Sequence, residues 1–261
     1  MAARTADPSR VSRRSRAVAA GVAVLSALAL PLACQAADAG SPAPAMPLGA
    51  PTAAPTGFLD FCARQPAQCG LPQDVSADEQ RSSLYRRYYW RLALPAQAGT
   101  EQRWNGPITL ASASARGDWK DRSAPGAQAM TPDLLALLNS VDRTVNRAIR
   151  YVHNGADDSW KLPMQQAASQ ATGDCKDYVL EKRRALIERG VSPQSLSIAL
   201  VQTWRGESHA VLLVATDQGE YVLDNLSGSV KRWDKLGYRW VSRQAPGETF
   251  SWVSVSASDP G

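Results

Sequence analysis

The chain has 261 residues, of which 44% are hydrophobic, and a formal net charge of +5. Five arginines and one aspartate lie within residues 1–36, so four of the five excess charges sit there and the remainder carries about +1. A nucleic-acid partner would need a basic face on the folded domain, and that balance argues against one.

Residues 1–36 have the pattern of an export signal. Arg4, Arg10, Arg13, Arg14 and Arg16 precede an uncharged apolar run from Ala17 to Leu32, and Cys34-Gln35-Ala36 meets the small-x-small rule for cleavage after Ala36. The run is shorter than the roughly 20 residues of a spanning helix. Cys34 offers a lipoprotein alternative, against which stands Pro31, at a position where such signals usually carry Leu. The expected location is the periplasm. Residues 37–56, rich in Ala and Pro, predict a spacer. Residues 57–261 are long enough for one domain with a substantial core.

In an oxidising compartment Cys62 and Cys69, flanking a short loop, predict a local disulfide. With Cys34 removed, Cys175 is left over, and a leftover cysteine in an exported chain is a reactive-thiol candidate.

Residues 73–92 predict a helix leading into an irregular connection, with Tyr85, Tyr88, Tyr89 and Trp90 as core filler rather than a ligand cage. Residues 95–130 predict loops. Thr131-Pro132-Asp133 opens a helix whose apolar positions, from Leu134 to Val152, keep helical spacing as far as His153. Asn154-Gly155 is its stop, and His153 is expected to complement the helix dipole from the last turn.

A second helix begins in Gly173-Asp174-Cys175-Lys176-Asp177-Tyr178. Asp174 is a good N-cap, which places Cys175 in the first turn. Tyr178, Val179, Leu186 and Ile187 fall on one face, and Gly190 ends the helix. Unpaired N–H groups and the positive end of the dipole favour a thiolate there, the form that attacks carbonyls. The competing interpretation is a buried structural cysteine.

Beyond Pro193 the period changes to two. Strands are predicted at 196–201, 208–216, 220–225, 230–233, 238–243 and 251–255, giving an α+β domain with helices first and an antiparallel sheet after. Asp217-Gln218-Gly219 makes a hairpin turn that sets Val211 opposite Asp224 and His209 two residues along on the same face. Diagonal neighbours of an antiparallel pair lie about 7–8 Å apart at the Cα, within reach of an imidazole–carboxylate hydrogen bond. If the Cys175 helix packs on that face by its N-terminal end, thiol, imidazole and carboxylate come together in the order a nucleophile, base and orienter require. Singly, each has an ordinary role: His209 as strand packing, Asp224-Asn225 as a turn opener.

Gly-Asp-Cys-Lys-Asp-Tyr at 173–178, Ser-His-Ala-Val-Leu at 208–212 and Tyr-Val-Leu-Asp-Asn at 221–225 resemble the bacterial transglutaminase-like cysteine peptidases. Phe61-Cys62-Ala63-Arg64 with Cys69, and Gly237-Tyr238-Arg239-Trp240, are similar to that family too. The resemblance implies a papain/transglutaminase-like fold with Cys175, His209 and Asp224 as a catalytic triad. For its LapG-like periplasmic members it further implies a large surface adhesin as substrate, an inner-membrane cyclic-di-GMP receptor as regulator, and calcium. Asp174 and Asp177 are the candidate calcium ligands, with Asp157-Asp158 able to fold back toward them. Lys176 departs from the acidic residue that relatives carry after the cysteine, so calcium is not expected to be required. Two other outcomes share these residues: an acyl transferase of the transglutaminase or amidase type, and a non-catalytic envelope binding module.

Overall fold

The computed structural model describes residues 45–89, 126–153 and 157–255. The export signal with Cys34, most of the loop segment 95–130, Trp90 and the Asn154-Gly155 stop lie outside the described residues.

The main sheet has seven strands in the order β1-β9-β8-β4-β5-β6-β7. These are β1 (Leu48–Thr52), β4 (Leu196–Gln202), β5 (Ser208–Thr216), β6 (Gly219–Leu223), β7 (Lys231–Arg232), β8 (Arg239–Gln244) and β9 (Trp252–Val255), and every adjacent pair is antiparallel. The helices are α1 (Thr56–Arg64), α2 (Ala77–Leu84), α3 (Pro132–Ala148), the single turn α4 (Pro163–Gln166) and α5 (Cys175–Ile187). The class is α+β, as the pattern predicts. No helix among the described residues is long and apolar enough to cross a membrane.

Alternation in the central strands builds two separate cores. Leu196, Ile198, Ala210, Leu212, Val214 and Leu223 join the helices in the larger one. Their neighbours of opposite parity, Ala199, Val201, Val211, Leu213 and Val222, form a smaller one on the other face with Met46 and Val255. Strands buried on both faces read as continuous apolar runs, which is why 209–215 shows so little alternation in hydrophobicity.

Three local expectations need correction. The spacer assigned to 37–56 is structured in part: Leu48–Thr52 pairs with β9, while Met46 and Ala54 are buried. Backbone pairing at the sheet edge overrides a composition poor in strand formers. The Thr131-capped helix stops at Ala148 rather than His153. Ile149–Tyr151 instead forms β2, parallel to β3 (Ala171–Gly173). The β-branched and aromatic residues at 149–152 suit a strand, and the partner 22 residues on was invisible to local spacing. His153 is therefore an exposed residue beyond a strand, not a helix-end cap.

The N-terminal segment follows expectation. Cys62 and Cys69 form a disulfide. Tyr85, Tyr88 and Tyr89 pack on the main core, and Tyr88 stacks on Phe250 at 5.2 Å. Gly57 is required by a close approach, since a Cβ there would lie 1.7 Å from the Asp158 carbonyl oxygen.

Candidate active site

Cys175 opens α5, and Asp174 caps it as predicted. The Asp174 carboxylate accepts from the Lys176 N–H at 3.1 Å, while Asp177 Oδ2 accepts from the Asp174 N–H at 3.2 Å, a reciprocal capping box. Gly173 makes room for it: a Cβ there would lie 2.6 Å from Asp177 Oδ2. Strand β3 carries the chain straight into this turn, so the thiol is fixed by the β2–β3 pair behind it and the helix ahead. Cys175 is a free, half-buried cysteine.

The hairpin register is the expected one. Leu212 pairs with Leu223, and one step further along the same register stand Val211 and Asp224. His209 Nε2 donates to Asp224 Oδ1 at 2.8 Å, and both residues are buried. The same imidazole hydrogen-bonds the Cys175 side chain. With Nε2 engaged by the carboxylate, Nδ1 is the nitrogen left for sulfur. Burial opposes a charge on His209, but the hydrogen bonds and negative charges of Asp224 and Cys175 outweigh it and push its pKa up to about 9. Burial likewise works against the Asp224 carboxylate, yet its bonds to His209 and neighbouring donors hold it below the usual range.

Cys175, His209 and Asp224 thus meet, by a route different from the one the sequence suggests. Helix α5 packs on the face of Leu212 and Val214, whereas His209 has the parity of Val211 and Leu213 on the other face. The thiol reaches the imidazole around the end of β5, and the site joins the two layers there.

The structure gives roles to residues that the sequence left without one. Tyr238 O–H donates to Asp224 Oδ2 at 2.5 Å, and its ring lies 5.9 Å from that of His209. From α3, Asp142 Oδ1 accepts the Asp224 N–H at 3.0 Å, and Asn146 Nδ2 donates to the Asp224 carbonyl oxygen at 3.0 Å. Lys182 of α5 pairs with Asp142 at 2.7 Å, with 1% of either side chain exposed. Burial drives Asp142 up and Lys182 down, each against the other's charge. A signal for this network was present: Asp142 stands four residues after Leu138, and Lys182 four after Tyr178 and four before Leu186, charges inside apolar stripes. Asn225 lies in the bend after β6.

The candidate calcium ligands are otherwise occupied. Lys176 Nζ pairs with Asp174 Oδ2 at 2.6 Å and donates to the Asp157 carbonyl oxygen at 3.4 Å. Both Asp177 oxygens accept backbone N–H groups, from Lys161 at 3.0 Å and from Asp174. Burial and the nearby Asp174 charge raise Asp177 to about 6. The Asp158 carboxylate turns away to the start of α1, accepting from Gly57 N–H at 2.9 Å, and that of Asp157 holds Ser159. Calcium requires about six to eight oxygen ligands. Among the described residues no group of three or more His, Cys, Asp or Glu side chains could hold a metal, and this donor set does not fit the ion.

The family model for the bacterial transglutaminase-like cysteine proteinases matches residues 113–260, more than half of the chain and the whole of this constellation. The chain belongs to that family. No curated protein matches it. Among solved structures it is similar to Legionella pneumophila LapG, at 22% identity and a TM-score of 0.37, over 41% of this chain and 63% of that one. The calcium-bound form of LapG covers 44% and 66% at a TM-score of 0.39, and the EGTA-treated form 48% and 73% at 0.39, both at 22% identity. The chain therefore spans just under two thirds of the first of these relatives. The arrangement brings a free thiol, an imidazole of raised pKa and a buried carboxylate into one hydrogen-bonded set.

Proposed function

We propose that this protein is a periplasmic cysteine endopeptidase in which Cys175, His209 and Asp224 act as a triad. The observation that carries this reading is the His209 imidazole held between the Cys175 side chain and the Asp224 carboxylate. The Cys175 thiolate attacks the scissile carbonyl carbon. The C–N bond breaks, and His209 gives its Nδ1 proton to the leaving amine. Water then attacks the thioester, His209 takes its proton, and the carboxylate product leaves with the thiolate restored. Asp224 stays ionised and keeps the imidazolium aligned.

A protein substrate agrees with the family and with the surroundings of the thiol. Tyr151, Trp204 and Leu226 expose 51%, 80% and 59% of their surface, and each belongs to a segment that borders one triad residue. Tyr151 pairs with Gly173 and feels the Cys175 charge, Trp204 lies in the turn before β5, and the Leu226 N–H donates to Asp224. Exposed apolar groups around a nucleophile suit an extended polypeptide laid across it. We assign as substrate a large surface adhesin, with an inner-membrane cyclic-di-GMP receptor as the regulating partner. LapG has calcium-bound and EGTA-treated forms. In this chain the Lys176–Asp174 pair supports activity without calcium.

The test is cell-surface proteomics of a strain carrying Cys175→Ala in place of the native protein. A large surface protein is expected to be retained at full length in the variant and shed as a fragment by the native strain. An unchanged surface proteome overturns the adhesin reading. Incorporation of a labelled amine into a protein without chain cleavage overturns the peptidase reading in favour of acyl transfer.

A further inference from the structure

The Asp224 carboxylate is the most enclosed part of the site, and its two oxygens are held differently. Oδ1 accepts from His209 Nε2 and, at 3.0 Å, from the Leu226 N–H. Oδ2 accepts from the Tyr238 hydroxyl. Asp224 is 2% exposed, so water does not substitute for a lost donor. Burial, with the hydrogen bond to Asp224 and its charge, raises the Tyr238 pKa, so near neutral pH the phenol keeps its proton and is the donor of this pair. The Tyr238 ring also stands beside the imidazole and packs edge-on against Trp240 at 6.4 Å, which in turn meets Trp233 at 6.0 Å.

We propose that Tyr238 is a positioning residue for the reaction, fixing the rotation of the Asp224 carboxylate so that Oδ1 faces His209. The inference rests on the protease reading. A carboxylate free to turn about its Cα–Cβ and Cβ–Cγ bonds presents either oxygen to the imidazole. Three donors on two oxygens leave one orientation. Tyr238 immediately precedes β8 and packs on the second core, so its hydroxyl ties that core to the Asp224 carboxylate. The other ionisable groups near Asp224 are His209, Asp142 and Lys182. Asp142 accepts the Asp224 backbone N–H and Lys182 pairs with Asp142; both feel the Asp224 charge, but it is His209, Leu226 and Tyr238 that bond its carboxylate oxygens.

The experiment uses the mature protein, iodoacetamide as a probe of Cys175, and imidazole NMR. The chain has two histidines, and exposed His153 serves as an internal reference. Four proteins are compared: native, Tyr238→Phe, Asp224→Asn and the double variant. Tyr238→Phe is expected to slow alkylation near neutral pH by about tenfold, the scale of one hydrogen bond to a charged group, and to lower the His209 pKa by about one unit. The double variant should match Asp224→Asn within about twofold, because a residue acting through the carboxylate has nothing to orient once it is gone. A double variant slower by the full factor means an independent packing role and overturns the proposal. A rise in the His209 pKa in Tyr238→Phe overturns it too, since the hydroxyl would then be dispersing the carboxylate's charge rather than aiming it. Tyr238→Leu, which removes ring and hydroxyl together, separates the wall from the donor. If it falls tenfold while Tyr238→Phe matches the native rate, the ring alone matters and the proposal fails. A native Cys175 no more reactive than a model thiol overturns the protease reading itself, a distinct result visible before any variant is made.

Discussion

The two ends of the site hold buried charge in contrasting ways. At the thiol end, Asp174, Lys176 and Asp177 lie within four consecutive residues and bond mainly one another and the first turn of α5, with the Lys161 N–H and the Asp157 carbonyl oxygen as partners from the preceding loop. At the carboxylate end, Asp224 is held by Asp142 and Asn146 from α3 and Tyr238 from just before β8, with Lys182 of α5 behind them. One end is a local motif that a short peptide encodes. The other exists only once four elements have assembled. The thiol is thus set by secondary structure and the imidazole–carboxylate pair by tertiary structure, and damage at the two ends should look different.

The largest effect is expected where both ends converge. On the proposed triad, Cys175→Ala should reduce peptide cleavage by at least about 10³-fold with unfolding unchanged, and His209→Ala nearly as much, since members of such a unit act together. Circular dichroism alongside the activity assay checks both. Next comes Lys182→Met, which leaves the Asp142 carboxylate buried and unpaired and should cost about 3–5 kcal/mol in urea unfolding. Adding Asp142→Leu should restore much of that stability but not the activity, because the Asp224 N–H then loses its acceptor. If activity returns with stability, the tertiary end does no more than pack.

A pH dependence belongs to the same end. His209 is raised above its ordinary 6.5 to about 9 in the fold, so its share of stability is complete below about pH 6.5 and is lost as pH rises through about 9. Thermal melts should show that decline in the native protein and a weaker one in His209→Gln. At the thiol end the changes are smaller. Asp174→Ala removes a cap worth about 1 kcal/mol and releases Lys176. Smallest of all, exhaustive chelation should alter activity by less than about twofold, and restoration of lost activity by added calcium would show that Lys176 gives way to the ion.

That contrast also explains what was legible in the sequence. The Asp174 cap, the Cys175 position, the start of α3 at Thr131-Pro132 and the hairpin register that sets Asp224 beside His209 all follow from spacings of a few residues. The end of α3 did not, because Ile149–Tyr151 satisfies helical spacing until β3 offers a partner. Nor did the face on which the thiol arrives: alternation puts His209 on the face away from α5, and yet the Cys175 side chain at the start of that helix hydrogen-bonds it. Asp142 and Lys182 were visible as charges in apolar stripes, but neither spacing says that they pair or that their pairing supports Asp224.

Strand β1 bears on how the molecule can be handled. It is one of the two edge strands of the sheet, its register with β9 runs from Leu48–Val255 to Thr52–Trp252, and Met46 beside it is buried against the second core. A recombinant version trimmed to begin at Gly57, where composition alone would place the first ordered residue, would strip that strand and bare the flank of β9. Unpaired backbone along an apolar flank recruits a neighbouring copy. Such a trimmed preparation should therefore precipitate or elute as soluble aggregates, whereas one beginning just after Ala36 keeps its own edge covered.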